Sequence, residues 1–229
     1  MRVAALYDIH GNLPALEAVL AQVPDDARIV LGGDHVYGPF PAETLARLHG
    51  LGDRAVWLRG NCDRELFEPG TGSASIEVLS WVRQRLTESD VSFLFELPKT
   101  VTLPVDGLGD VFFCHATPLN DLTFFTDVTP EERLIPLFAG VSADTVVCGH
   151  SHLQFRRWAG AKHLINAGSV GMAYEDQPGA YWTLLGPTLE PRRSTFMPAE
   201  LDATGYPRRW PRTTRAEARR KLAANTFSL

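Results

Sequence analysis

Five times along this chain a short apolar run breaks off at aspartate, asparagine or histidine, four times with glycine beside it, and no other feature limits the fold as much. Residues 2–7 run into Asp8-Ile9-His10-Gly11-Asn12, residues 28–31 into Gly32-Gly33-Asp34-His35, and residues 55–58 into Arg59-Gly60-Asn61-Cys62-Asp63. Farther on, Phe112-Phe113-Cys114 meets His115, and residues 144–148 run into Gly149-His150-Ser151-His152. Each run reads as a strand. In an α/β sheet the C-terminal ends of parallel strands share one rim, so polar residues placed just after them converge from distant parts of the sequence.

Between the first three runs lie helical patterns at 13–23, with Leu13, Leu16, Val19, Leu20 and Val23 at helical spacing, and at 41–48. Asn12 is placed to cap the first of these, with Pro14 in its first turn. The order βαβαβ predicts a parallel sheet. Helical stretches follow at 75–86 and, in broken form, 89–95. Beyond Pro98 the runs at 99–105, 110–114, 144–148, 153–158, 162–165, 180–185 and 188–196 are short and β-rich, and only 130–138 reads as helix. The expected fold is α/β: a four-layer α/β–β/α sandwich, with a second mixed sheet facing the first and helices on both outer faces. One domain over residues 1–197 is expected. Residues 198–229 read as an extension packed on it or trailing from it, ending in a helix from about Thr214.

A chain of 229 residues, 45% hydrophobic and 21% charged, buries a core without disulfides or a structural metal. Metal ligands, where present, then serve chemistry rather than folding. The three cysteines are scattered, with no CxxC pair, which argues against a disulfide framework and for a reducing compartment. No basic-then-apolar leader and no apolar run of about 20 residues is visible, so a cytoplasmic protein without membrane attachment is expected. Charge is uneven: residues 1–191 carry 13 basic against 24 acidic side chains, and residues 192–229 carry nine against three. A basic tail points to nucleic acid as one partner. The plainer expectation is a terminal helix docked on an acidic body.

The polar clusters define a chemistry. Asp8, His10, Asp34, Asn61, His115, His150 and His152 form a mixed nitrogen and oxygen donor set suited to Mn²⁺, Fe²⁺, Zn²⁺, Ni²⁺ or Co²⁺. In Asp8-Ile9-His10 and His150-Ser151-His152 the paired donors stand two apart, so in an extended segment both point one way, with Ile9 turned into the core. Seven donors exceed what one ion that keeps a water can use, but they suffice for two ions sharing a carboxylate. Two ions about 3.5–4 Å apart clamp an in-line displacement at phosphorus and supply a bridging hydroxide. Hydrolysis of phosphate esters is the expected reaction.

The ordered series DxH, GD, GN(H/C)D, H and GHxH resembles the calcineurin-like metallophosphoesterase superfamily. The opening DIHGNLPALEAVL, with GNCD and NAGSVG, resembles its small bacterial and archaeal phosphodiesterase branch. The resemblance covers residue 2 to about residue 185. It implies that Asp8, His10, Asp34 and His152 hold one divalent ion and that Asp34, Asn61, His115 and His150 hold a second, with Asp34 bridging and manganese favoured. It also implies that Asn61 touches the phosphate of a small phosphoester, most readily a phosphodiester. A non-catalytic protein-interaction module on the same fold, or a nuclease served by the basic tail, are the rival readings; oligomeric state is not legible.

Two departures stand out. Cys62 occupies the position where many relatives carry a histidine that approaches the leaving group, so Cys62 is a catalytic candidate and good leaving groups are favoured. Protein phosphatases and dinucleoside tetraphosphatases of the superfamily read GDxVDRG, whereas this chain reads Gly33-Asp34-His35-Val36-Tyr37-Gly38, without the phosphate-gripping arginine. Arg64 is the candidate substitute for substrate binding. His35, His49 and His163 read as structural, Cys114 and Cys148 as small buried residues, and Trp182 as core. The segment from Asn166 to Gly171 reads as a turn between strands of the second sheet, and Phe124, Phe125 and Tyr174 as pocket or core.

Overall fold

Strands that bury both faces build this molecule. In the computed structural model, which describes residues 1–196, 204–207 and 213–225, β1 (Val3–Leu6) is wholly buried. Val3, Ala5 and Tyr7 enter one apolar cluster, and Ala4 and Leu6 another on the opposite face. Such a strand must lie between two layers, and its alternation of side chains sets which layer each residue joins.

The first sheet has the order β10-β9-β1-β2-β3, with β2 (Arg28–Leu31), β3 (Ala55–Trp57), β9 (Ala180–Leu185) and β10 (Leu189–Ser194). β1, β2 and β3 run parallel, and β9 pairs antiparallel to β1. The second sheet has the order β4-β5-β6-β8-β7, with β4 (Thr100–Val105), β5 (Gly109–Cys114), β6 (Thr145–Cys148), β7 (Gln154–Ala159) and β8 (Lys162–Ala167). Here β5, β6 and β8 are parallel, and the edge strands antiparallel. Val3, Ala5, Tyr7 and Val30 of one sheet meet Val111, Phe113, Val147 and Ile165 of the other in the central core.

Helices cover the outer faces. α1 (Leu13–Leu20) packs Leu16 and Val19 on the first sheet, and Asn12 Oδ1 caps it by accepting from Ala15 N at 3.1 Å. α2 (Pro41–His49), α4 (Ile76–Arg83) and α5 (Glu88–Glu96) gather around a further apolar cluster. α6 (Glu131–Phe138) covers the second sheet through Leu134 and Phe138. α7 (Arg215–Asn225) joins it there, burying Ala218 and Leu222. No described helix is long and apolar enough to cross a membrane.

The α/β–β/α sandwich is as expected, with two corrections. The last two strands belong to the first sheet, so the Asn166–Gly171 segment passes from one sheet to the other instead of turning within the second. A short helix, α3 (Asn61–Phe67), follows β3, where the sequence showed a polar cluster and no helical pattern. The expected boundary at 197–198 lies outside the described residues.

Candidate metal centre

All seven expected donors stand at the C-terminal ends of parallel strands: Asp8 and His10 after β1, Asp34 after β2, Asn61 after β3, His115 after β5, His150 and His152 after β6. The structure brings the seven together in one buried place, where none is more than 7% exposed. His10 Nε2 lies 3.0 Å from His152 Nε2, and Asp8 Oδ1 lies 3.8 Å from the first and 3.3 Å from the second. Beside them His115 Nε2 lies 3.2 Å from both Asn61 Oδ1 and His150 Nδ1. Asp34 stands between the two groups, with Oδ2 3.8 Å from His10 Nε2 and Oδ1 3.6 Å from His115 Nε2.

The backbone needed for this is unusual. Among the described residues, the non-glycine positions with positive φ are Asp8, His10, Asp34, His150 and His152, at 50° to 65°. Aspartate and histidine tolerate this left-handed region better than most residues, yet each such position costs about 1 kcal/mol or more. Strain confined to these donors marks the place where the fold yields to another demand. It also corrects the expectation of extended Asp8–His10 and His150–His152 segments. The paired side chains do share one side, but through left-handed residues that flank Ile9, which is buried in the core, and Ser151.

Hydrogen bonds hold the strained loops. Asp8 N donates to Gly33 O at 3.1 Å and His10 N to Asp34 O at 2.8 Å, joining the loops after β1 and β2. His150 N donates to Asp8 Oδ2 at 2.8 Å, which ties the second sheet to the first. Two glycines are required by close approach. A Cβ on Gly60 would come within 2.5 Å of Asp34 N, and one on Gly149 within 2.6 Å of Asp8 Oδ2.

Lone pairs face one another here. His10 Nδ1 donates to Tyr37 O at 3.2 Å, His115 Nδ1 to Gly32 O at 2.8 Å and His152 Nδ1 to Met172 O at 2.9 Å, which leaves each Nε2 bare and turned inward. Asn61 Nδ2 donates to Glu65 Oε1 at 2.9 Å, so its Oδ1 also presents a lone pair. Asp8 Oδ1 is buried and receives no hydrogen bond. Such an arrangement is unfavourable without a cation and fits one well.

The proton affinities of His10 and His150 agree. Burial, then the neighbouring His152, holds the His10 imidazole down at about 3; burial, then His115, does the same to His150, also at about 3. Both rings are therefore neutral and able to ligate. Burial pushes the Asp34 carboxyl up to about 6; His115 pulls it down, but the Asp8 and Asp63 charges add to the rise. For Asp8 burial pulls the other way, but His152, His115 and His10 together hold its carboxyl well below the usual carboxylate range. Clusters of three donors form around Asp8, His10 and His152, around Asp34, His115 and His150, and around His10, Asp34 and Cys62.

A cavity of about 370 Å³ opens over the donors, lined by His10, Asp34, Asn61, Cys62, His150 and His152 among others. Phe124 stacks on His150 with ring centroids 4.0 Å apart, and Tyr174 tilts against His152 at 4.7 Å. Phe125 and Trp182 are core instead. Cys62 faces the cavity as expected, and burial, then the Asp34 charge, raises its thiol well above the ordinary value. Arg64 is placed elsewhere: its guanidinium donates to Asp121 from Nε at 2.8 Å and from Nη2 at 3.1 Å, and it does not line this cavity. His49 packs on Trp57 and Phe93, and His163 stacks on Trp158, both away from the donors.

Sequence reading missed the supports. Asp63 accepts from Asp34 N, His35 N and Gly60 N at 2.8, 3.0 and 2.9 Å and pairs with His35 Nδ1 at 2.9 Å. Ser169 Oγ donates to Asp8 O at 2.8 Å, and Asn166 Nδ2 to Gly149 O at 2.6 Å, which gives the Asn166–Gly171 segment its task of bracing. The signal lies in the GNCD and NAGSVG strings, whose Asp63, Asn166 and Ser169 are polar residues beside buried strands.

A family model for the calcineurin-like phosphoesterase superfamily domain matches residues 1–185. The chain belongs to that superfamily. This phosphoesterase is 28% identical to an uncharacterized protein of Methanocaldococcus jannaschii over 203 residues, spanning 83% of this chain and 77% of that one. It is 25% identical to the phosphodiesterase YfcE of Escherichia coli K12 over 195 residues, spanning 80% of this chain and 87% of the relative. A crystal structure of a metallophosphoesterase from Sphaerobacter thermophilus superposes on the phosphoesterase with a TM-score of 0.70 at 24% identity, covering 89% of this chain and 92% of that one.

Proposed function

We propose that this phosphoesterase hydrolyses phosphodiesters with a pair of divalent ions, one held by Asp8, His10, Asp34 and His152 and the other by Asp34, Asn61, His115 and His150. The observation that carries the reading is the two facing donor groups with the Asp34 carboxylate between them, its oxygens 3.8 and 3.6 Å from one imidazole of each group. Two bound ions supply a hydroxide nucleophile near neutral pH and offset charge on phosphate oxygens.

The side chains of this chain set the rest. Asn61 keeps one amide hydrogen on Glu65 and turns the other toward Cys62 and the cavity, where a phosphate oxygen can take it. Cys62 stays protonated at neutral pH because burial raises its thiol. A thiol so reluctant to ionise is a poor general acid, so departing groups that need no proton, such as phenolates, suit the site. No lysine or arginine is among the described residues that line the cavity. A phosphodiester carries one negative charge, and a monoester up to two, so a site without cationic side chains favours the diester. The reading of residues 198–229 as nucleic-acid binding gains no support from Arg215 and Arg219, whose charges are engaged by Asp127 and Glu175.

Purified protein loaded with Mn²⁺ is expected to cleave bis(p-nitrophenyl) phosphate faster than p-nitrophenyl phosphate. No cleavage of either ester with Mn²⁺, Ni²⁺, Co²⁺ or Zn²⁺ demonstrably bound would overturn the proposal.

A further inference from the structure

The family match ends at residue 185, yet two side chains beyond it help to line the cavity over the donors. They are Tyr206 and Leu222, beside Phe124, Met172 and Tyr174. Each is anchored on a different part of the molecule. Tyr206 sets its ring edge-on against Trp81 of α4, with centroids 5.4 Å apart and planes at 90°. Leu222 comes from α7, where it and Ala218 enter the outer apolar cluster of the second sheet.

Polar anchors fix α7 in place. Arg215 Nη1 donates to both Glu175 carboxylate oxygens at 2.8 Å and to Gln154 O at 3.0 Å. Arg215 Nη2 donates to Asp127 Oδ2 at 3.2 Å, and Arg219 pairs with the same carboxylate. The described parts of the extension are thus held to both the α4 side and the second-sheet side, and each delivers one apolar side chain to the cavity.

Next to the imidazoles, then, the wall is aromatic and aliphatic. A charged ester group would lose water against these described side chains, among which no lysine or arginine stands. A planar ring would gain both apolar burial and favourable ring contacts. We infer that the described parts of the extension, residues 204–207 and 213–225, are a specificity element in which Tyr206 and Leu222 seat a planar aromatic ring carried by the substrate phosphate, from an aryl alcohol or from a nucleoside.

This rests on the proposed phosphate site but not on turnover, so calorimetric binding to the Mn²⁺-loaded full chain tests it separately. Phenylphosphonate is expected to bind at least roughly fivefold tighter than methylphosphonate, as one good ring contact allows. Tyr206→Ala should erase that preference with methylphosphonate affinity and Mn²⁺ content unchanged, and Tyr206→Phe should keep it. Asp127→Asn, outside the cavity, should lower the preference by loosening α7, which secures the test if Tyr206→Ala fails to fold. Thymidine 5′-monophosphate binding tighter than ribose 5-phosphate would identify a nucleoside as the source of the ring, and equal binding an aryl group. Equal binding of the two phosphonates by the unaltered protein, or a preference that survives in folded Tyr206→Ala, overturns the inference. Cleavage of diesters without any phosphonate preference leaves the proposed function standing and removes the wall; the preference without cleavage does the reverse.

Discussion

Asp63 accepts the backbone N–H of Asp34 at 2.8 Å, so the carboxylate standing between the two donor groups is itself positioned by a second carboxylate that does not line the cavity. The same side chain takes the N–H groups of His35 and Gly60 and pairs with the His35 ring. Three loop amides and one imidazole depend on it.

Replacing it by Asp63→Ala leaves those buried donors without an acceptor. The expected loss is about 3–5 kcal/mol of stability, the usual effect of breaking a buried pair from one side. Supports of metal ligands also carry about 10–100-fold in metal affinity. Urea denaturation and Mn²⁺ titration check both; stability within about 1 kcal/mol of the parent would contradict the role given to Asp63.

Gly60→Ala changes no donor. Its Cβ would still come within 2.5 Å of Asp34 N, against backbone that cannot move without shifting Asp34. Mn²⁺ affinity is expected to fall at least tenfold, in the range of supporting-residue effects. Isothermal titration reads it directly, and an unchanged affinity would show that the loop relaxes around the methyl group.

Removing metal should unmask the repulsion among the bare Nε2 atoms and the Asp8 and Asp34 carboxylates. Free ion at 100 times its dissociation constant stabilises a folded protein by about 2.7 kcal/mol. For a domain of this size that corresponds to a melting shift of roughly 5–10 °C for each of the two ions. Calorimetry with excess chelator and then with Mn²⁺ should show this rise, and a melting temperature indifferent to both would argue against any metal centre.

Docking of α7 should depend on pH through Asp127. Burial alone would raise this carboxyl, but Arg219 and Arg215 outweigh it and hold it below the usual range. A carboxyl depressed in the folded state contributes stability that is complete above its unfolded value and is lost as pH falls through the folded one. Protection of the amides of residues 215–225, measured as exchange relative to the intrinsic rate at each pH, is therefore expected to stay constant from about pH 5 to pH 8 and to fall below about pH 4. Asp127→Asn should show the reduced protection at all these values. If the variant exchanges like the parent at pH 7, the ion pairs do not hold the helix.

Much of this was readable in advance, for a physical reason. A strand ending in Asp8 or His115 announces both its burial and the rim where its polar side chain emerges, so the α/β layers and the convergence of these seven side chains could be read from the chain. β9 and β10 could not be assigned to a sheet, because β9 is wholly buried like β1 of its own sheet and β6 of the other, and its run looks the same in either. α3 was hidden because its seven residues are too few to show an apolar period, and it starts on Asn61 itself. Arg64 was misplaced because a lone arginine near a phosphate motif says nothing of Asp121, 57 positions away. The left-handed backbone at Asp8, His10, Asp34, His150 and His152 has no signature in residue type beyond a tolerance for it.

The central claim is a pair of ions sharing Asp34, and anomalous scattering from crystals grown with Mn²⁺ tests it most directly. The account predicts two peaks about 3.5–4 Å apart, one among Asp8, His10 and His152, the other among Asn61, His115 and His150, with Asp34 touching both. A single peak, or manganese bound away from these seven side chains, would contradict it.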